Sequence, residues 1–184
     1  MRTLHICFIV LLLGVCLLSM PRSGGAAAED IGEVIRLHQS GDSVQALLLA
    51  DKLLTARPKD AQLRFSKGLV LAESHRTTEA IDVFQKLTED FPELAEPHNN
   101  LAALHAARGE YDLARLALEQ ALRSNPRYAT AQENLGDVYA MLASRAYARA
   151  SALDPGSNQI PRKLELVREL LNGKSNASAP KSTP

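Results

Sequence analysis

Tryptophan is absent from the 184 residues, and phenylalanine and tyrosine occur only four times each. A core with so few rings must be built from aliphatic side chains, which suits thin layers of amphipathic helix. Cysteine occurs twice, at Cys7 and Cys16. None follows Ala28, which excludes a disulfide, a thiolate metal site and a cysteine nucleophile from the rest of the chain. Alternating Val/Ile/Thr runs are missing, and with them the signal for strands. There is no G-x-S-x-G, no H-E-x-x-H and no phosphate-binding glycine loop, so no enzymatic activity is expected. No basic stripe is interleaved with aromatics, which argues against nucleic acid as a partner. Four histidines lie beyond Ala28: His38, His75, His98 and His105. His98 and His105 are spaced to share a helix face, but no further ligands converge at zinc-like spacing, so no metal or cofactor is expected.

The formal charge is zero, but it is unevenly distributed. Residues 29–144 hold 12 basic and 18 acidic side chains, whereas residues 145–184 hold 7 and 3. The basic C-terminal end is suited to an acidic partner or an anionic lipid surface, although a plain solvated helix face needs no such explanation.

Residues 1–28 read as a secretory signal peptide. Arg2 supplies the positive charge, Ile6 to Met20 is almost wholly apolar, and Pro21 to Gly25 interrupts the run. Ala26, Ala27 and Ala28 offer small residues for cleavage before Glu29. The apolar run is shorter than the roughly 20 residues a spanning helix needs. The expectation is a cleaved, periplasmic or secreted protein with no membrane span after cleavage. Val15 before Cys16 and the leucines after it argue against a lipid anchor.

What the chain does contain is self-similarity. At one fixed interval, prolines fall at Pro58, Pro92 and Pro126, and alanines at Ala46, Ala80 and Ala114. In the same step a column of small or apolar residues reads Val34, Gly68, Ala102, Gly136; bulkier columns read Leu37, Leu71, His105, Tyr139 and Ala50, Phe84, Leu118. Gly41 and Gly109 stand two periods apart. The small residues permit close helix crossings, the larger ones fill the space between helix pairs, and the proline ends each pair. A single pair cannot bury its own apolar stripe, so neighbours must stack. These columns, strongest over Ala95–Pro126 and Gln62–Pro92, resemble the tetratricopeptide (TPR) repeat over roughly residues 29–155. The resemblance implies an all-α solenoid of helical hairpins. It further implies a non-enzymatic scaffold whose partners are proteins.

Three regular units are expected, followed by an irregular fourth. Pro155 follows Pro126 too early for a full period, so the turn between paired helices is missing. Leu135, Tyr139, Leu142, Ala146, Ala150 and Leu153 run on at helical period. The spacing predicts one helix over Ala129–Leu153, about 36 Å long, with a tight turn near Leu142–Ser144 as the alternative. Its second half would project and leave an apolar stripe to be covered. A last amphipathic helix over Pro161–Asn172, ended by Gly173, is expected to cap the solenoid or pack on the long helix. The solenoid domain is placed at 29–173, and residues 174–184 are expected to be disordered. The first helix is expected over Asp30–Gln39, with Asp42 capping the second and Thr77 or Thr78 capping the fourth.

In TPR register the concave surface is lined by the first helix of each unit. The resemblance therefore implies exposed groove positions at Gln62, Phe65, Ser66 and Leu69, at Asn99, Asn100 and Ala103, and at Glu133, Asn134 and Asp137. Asn100 and Asn134 lie one period apart, and their amides suit a bound peptide backbone. Some relatives grip a C-terminal carboxylate with cationic residues, but Phe65 and Asn99 stand where those would be. Two roles compete. One is an adaptor binding a peptide or helix of an envelope protein in the groove. The other is a structural component that self-associates as a homodimer through the long and terminal helices, exposing Leu142, Tyr147 and Leu153.

Overall fold

The structure is a computed structural model that describes the backbone of residues 23–177 and the side chains of residues 27–172. Eight helices follow one another: α1 (Ser23–Gln39), α2 (Ser43–Ala56), α3 (Ala61–Glu73), α4 (Thr77–Asp90), α5 (Ala95–Ala107), α6 (Tyr111–Ser124), α7 (Ala129–Leu153) and α8 (Gln159–Ala177). The first six form three hairpins, and successive hairpins stack. The result is an all-α solenoid of TPR type.

Local chemistry sets the ends. Pro58, Pro92, Pro126 and Pro155 each stand two residues beyond the last residue of α2, α4, α6 and α7, where the missing amide hydrogen prevents continuation. Asp42 and Asp60 accept hydrogen bonds from the Gln45 and Leu63 amides, capping α2 and α3. The expected threonine cap on α4 is not formed. Thr77 is the first helical residue, and the preceding Arg76 instead binds the Glu79 carboxylate at 2.6 and 2.7 Å. In α5, Pro97 sits in the first turn, where its missing donor costs nothing, and is buried. The turns of the first and third hairpins pass through Gly41 at φ 89° and Gly109 at φ 73°. The second uses His75 at φ 60°, a left-handed conformation that costs a side-chain-bearing residue about 1–2 kcal/mol.

The interior divides into two clusters. The first joins Val34, Ala46, Ala50, Leu63, Leu71, Phe84 and Leu87. The second joins Ala95, Ala102, Ala114, Leu118, Ala121, Ala131 and Leu135. Leu101 and Leu104 of α5 pack back on the first cluster, so that the two halves are continuous. Gly68 lets α3 and α4 close together over the Phe84 ring, which meets Phe65 edge-on at 5.6 Å.

The long helix is present as one element. No residue between Asp137 and Leu153 can break it, and α7 runs unbroken past the point where the other units turn. Arg145 fixes its middle to the α5–α6 turn. Its guanidinium donates to the Gly109 carbonyl at 2.7 Å and lies 4.3 Å from the centre of the Tyr111 ring. α8 packs on the half of α7 beyond this point, with its Leu164 buried and its Lys163 ammonium 5.9 Å from the Tyr147 ring centre. It covers the stripe only in part: Leu142 and Ala150 are half-buried, whereas Ala146 and Leu153 stay exposed.

Both ends of the helical region extend further than their sequence signals. α1 begins at Ser23 rather than Asp30, within the stretch read as leader. α8 begins at Gln159 rather than Pro161 and continues through Gly173 to Ala177, into the stretch expected to be disordered. One glycine in a helix costs about 1 kcal/mol relative to alanine, too little to force an end by itself. Residues 1–22, most of the stretch read from sequence as a leader, and residues 178–184 lie outside the described residues. No helix among the described residues is long and apolar enough to cross a membrane.

Candidate binding groove

The first helices α1, α3, α5 and α7 line one face of the solenoid, and two concavities open there. The larger is about 470 Å³, lined by Ile31 of α1, by Ala61, Gln62, Phe65 and Ser66 of α3, and by Leu94, Glu96 and Pro97 where α5 begins. Its wall is mainly apolar, with the Gln62 amide and the Glu96 carboxylate as polar features. Phe65 is held edge-on against the buried Phe84, so its ring is a fixed part of the wall. The smaller, about 170 Å³, lies between α5, α6 and α7, with Ala103, Asn134 and Asp137 among its lining.

The predicted groove positions therefore divide. Gln62, Phe65 and Ser66 share the larger concavity, and Ala103, Asn134 and Asp137 share the smaller. Leu69, Asn99, Asn100 and Glu133 line neither. Leu69 packs against the first core cluster. Two positions expected to be exposed are buried: Ser66 at 6% and Asn99 at 8%. Ser66 falls on the stripe of Leu63 and Val70, and its hydroxyl donates to the Gln62 carbonyl of its own helix at 3.0 Å. Asn99 falls on the stripe of Ala95 and Ala102, and α7 of the next unit reaches it. The Asn134 side-chain amide donates to the Asn99 side-chain oxygen Oδ1 at 2.8 Å.

The asparagine ladder is thus partly committed within the protein. Asn134 spends one donor on Asn99, and Asn100 donates to the Glu96 carbonyl at 2.9 Å. Each retains acceptor and donor capacity, but neither is an amide held free for a ligand. The groove features that sequence register missed are Ile31, Leu94, Glu96 and Pro97. The last three belong to the entry of α5, which periodicity along a first helix does not single out.

Three of the four histidines beyond Ala28 have internal partners, and His75 lies exposed in the turn of the second hairpin. His98 is buried, 3.4 Å from the Pro92 carbonyl, and burial holds its imidazole below the ordinary value. His105 contacts the Glu110 carboxylate at 2.7 Å; that hydrogen bond is the main reason Glu110 lies below the usual carboxylate range. His38 bridges the first two hairpins, with Ser43 Oγ 2.9 Å from Nδ1 and Glu73 Oε2 2.7 Å from Nε2. A hydroxyl–imidazole–carboxylate chain has the outline of an activated nucleophile. Here the Asp42 carboxylate, one residue before Ser43, already takes the Gln45 amide at the start of α2, and neither concavity reaches the group. Its geometry is that of a tie between hairpins. Among the described residues, no His/Cys/Asp/Glu group could hold a metal ion.

A third concavity, about 360 Å³, lies between α2, α3 and α4, bordered by Arg64, Lys67 and Lys86. Arg64 pairs with Asp90, and Lys67 with Asp51 at 2.5 Å, so much of its positive charge is already matched.

Stacked helical hairpins with an open, partly apolar concave face define a protein–protein interaction scaffold. Residues 31–95 match a family described as tetratricopeptide repeat and residues 104–142 one described as TPR repeat, together more than half of the 184 residues. The chain belongs to the tetratricopeptide repeat family. A probable biofilm formation methyltransferase of Pseudomonas aeruginosa, WspC, is 33% identical over 106 residues, or 56% of this chain; the chain spans 25% of that protein's length. MamA has the same fold, with a TM-score of 0.56, 24% identity, and coverage of 76% of this chain and 83% of MamA. A thermophilic TPR protein of Thermus thermophilus gives 0.57 at 21% identity, covering 84% of this chain and 92% of its own.

Proposed function

We propose that this protein is a non-enzymatic adaptor, exported to the cell envelope, that binds a peptide or helix of a partner protein in its concave groove. The observation that carries the reading is the larger concavity. It is apolar, open, and walled by side chains held in place by the core beneath, so a ligand enters a preformed surface. Ile31, Phe65, Leu94 and Pro97 supply apolar contact, and Gln62 and Glu96 supply direction. Export rests on the sequence pattern of residues 1–28. The similarity to part of a methyltransferase brings no catalytic motif to this chain.

The test begins with a photo-reactive residue at position 62, cross-linked in the native cells, to identify the partner. Binding of the purified partner segment is then measured by calorimetry to the wild type and to a Gln62→Arg/Glu96→Lys variant. Both side chains are exposed, so the fold is expected to survive. A loss of affinity of about tenfold or more is expected. Unchanged affinity in the variant would reject the groove as the site.

A further inference from the structure

The end of a solenoid that faces water ordinarily carries a polar outer surface. On the α7–α8 hairpin Arg162, Lys163, Glu165, Arg168 and Glu169 are exposed, but large leucines are exposed among them. Leu153 at its tip is 87% exposed, and Leu166 and Leu170 on α8 are 65% and 61% exposed. Leu164, Val167 and Leu171 form the face of α8 turned toward α7, while Arg162, Leu166 and Leu170, four residues apart, form another stripe facing solvent. Leucines at i and i+4 are the form in which a helix enters an apolar groove. The groove described above is apolar, with Glu96 on its wall.

The chain segments that carry the two surfaces differ in charge: residues 145–172 hold five basic and three acidic side chains, residues 29–97 hold eight and thirteen, and the charged residue on the groove wall itself is the acidic Glu96. α8 packs on α7 at the far end of the solenoid, whereas the groove lies between α1, α3 and α5, so one copy cannot fill its own groove. Two hairpins meeting across a two-fold axis would set Arg162 and Lys163 against their own copies, which charge disfavours.

We propose that the α7–α8 hairpin of one copy docks by Leu166 and Leu170 into the Ile31/Phe65/Leu94/Pro97 groove of a second copy, so that the protein associates head to tail. This rests on the groove being a binding site and names its occupant. The contact is heterologous: each added copy presents a fresh groove at one end and a fresh hairpin at the other, producing chains or closed rings.

The experiment is sedimentation of the purified protein across a wide concentration range, at low and high salt. Two variants accompany it: Leu166→Glu/Leu170→Glu in the hairpin and Gln62→Arg/Glu96→Lys in the groove. All four positions are exposed, and circular dichroism confirms folding. The wild type is expected to gain mass with concentration and lose it with salt. Each variant alone is expected to associate about tenfold or more weakly, and an equimolar mixture to restore a dimer and nothing larger, since one competent contact remains. Association lost only in the hairpin variant, or absence of rescue on mixing, overturns the head-to-tail contact in favour of a two-fold one. A monomeric wild type whose hairpin binds anionic vesicles overturns it in favour of lipid. A monomeric wild type that still takes up a partner segment, with uptake lost in the groove variant, overturns the self-contact and leaves the groove reading standing. Loss of neither property in the groove variant overturns both.

Discussion

Gly68→Ala and Gly136→Ala place the same methyl group at the same point of the repeat, yet they are expected to move stability in opposite directions. At Gly68 the new Cβ would lie 2.7 Å from both Cε1 and Cζ of Phe84, and 3.2 Å from Cδ1. The ring cannot easily withdraw, because Phe84 is fully buried and Phe65 meets it edge-on. Overpacking of this kind costs about 1–3 kcal/mol. Alanine recovers about 1 kcal/mol of helix propensity, leaving a net loss of about 1 kcal/mol. At Gly136 a Cβ meets nothing within 4 Å, so only the propensity gain remains. For a chain of this size each kcal/mol corresponds to about 2–4 °C in Tm, so the two variants are expected to lie on either side of the wild type. Urea unfolding followed by far-ultraviolet circular dichroism gives the midpoints, compared at constant slope because repeat arrays unfold with limited cooperativity. A Gly68→Ala midpoint at or above wild type would refute the reasoning; so would a Gly136→Ala midpoint as low as that of Gly68→Ala.

Three further outcomes are expected. His75→Gly, at the left-handed turn of the second hairpin, is expected to raise stability by roughly 0.5–1 kcal/mol, the relief of strain exceeding the added freedom of the unfolded chain; a lowered urea midpoint contradicts this. Burial depresses the His98 pKa, so below the ordinary value of about 6.5 the unfolded chain takes up a proton that the folded chain resists. Stability from this group is therefore full above that pH and declines as pH falls below it. An NMR titration placing His98 at or above the ordinary value would remove the basis, and His98→Gln is expected to flatten that part of the profile. Asn134→Ala leaves the buried Asn99 oxygen without its donor and is expected to cost about 1–3 kcal/mol, whereas Asn100→Ala is nearly neutral. Equal midpoints for the two would contradict the Asn99–Asn134 pairing. The same difference makes Asn134 a poor probe of ligand binding, since its loss perturbs the packing of α7 on α5.

Register along the chain was enough for much of the fold, because each repeat feature has a local cause. The evenly spaced Pro58, Pro92 and Pro126 must end helices, and Val34, Gly68 and Ala102 are buried where small residues in one column marked helix crossings. Gly136 of the same column stands open, because the fourth unit has no second helix folded against it. The shortened interval before Pro155 removed the usual turn and made one helix the favoured reading over a tight turn near Leu142–Ser144, and α7 is continuous over Ala129–Leu153. The C-terminal limit was less legible: Gly173 is a stop only if nothing else sustains the helix, and α8 runs past it.

The candidate site was legible only in part. Helical periodicity assigns a residue to a face of its own helix, and it put Gln62 and Phe65 on the face where the larger concavity opens. It could not place Asn99, because whether that face meets water depends on where α7 of the following unit lies; Asn134 arrives there and buries it. Nor could it find Leu94, Glu96 and Pro97, which join the groove only because α5 begins beside α3 in space. Sequence alone determined the repeat and its helical class and favoured the fused fourth unit, since these follow from bonds and sterics within a few turns of chain. The tertiary structure decided which polar side chains remain available to a partner and which leucines of the terminal hairpin stay uncovered, since exposure depends on neighbours far away in sequence.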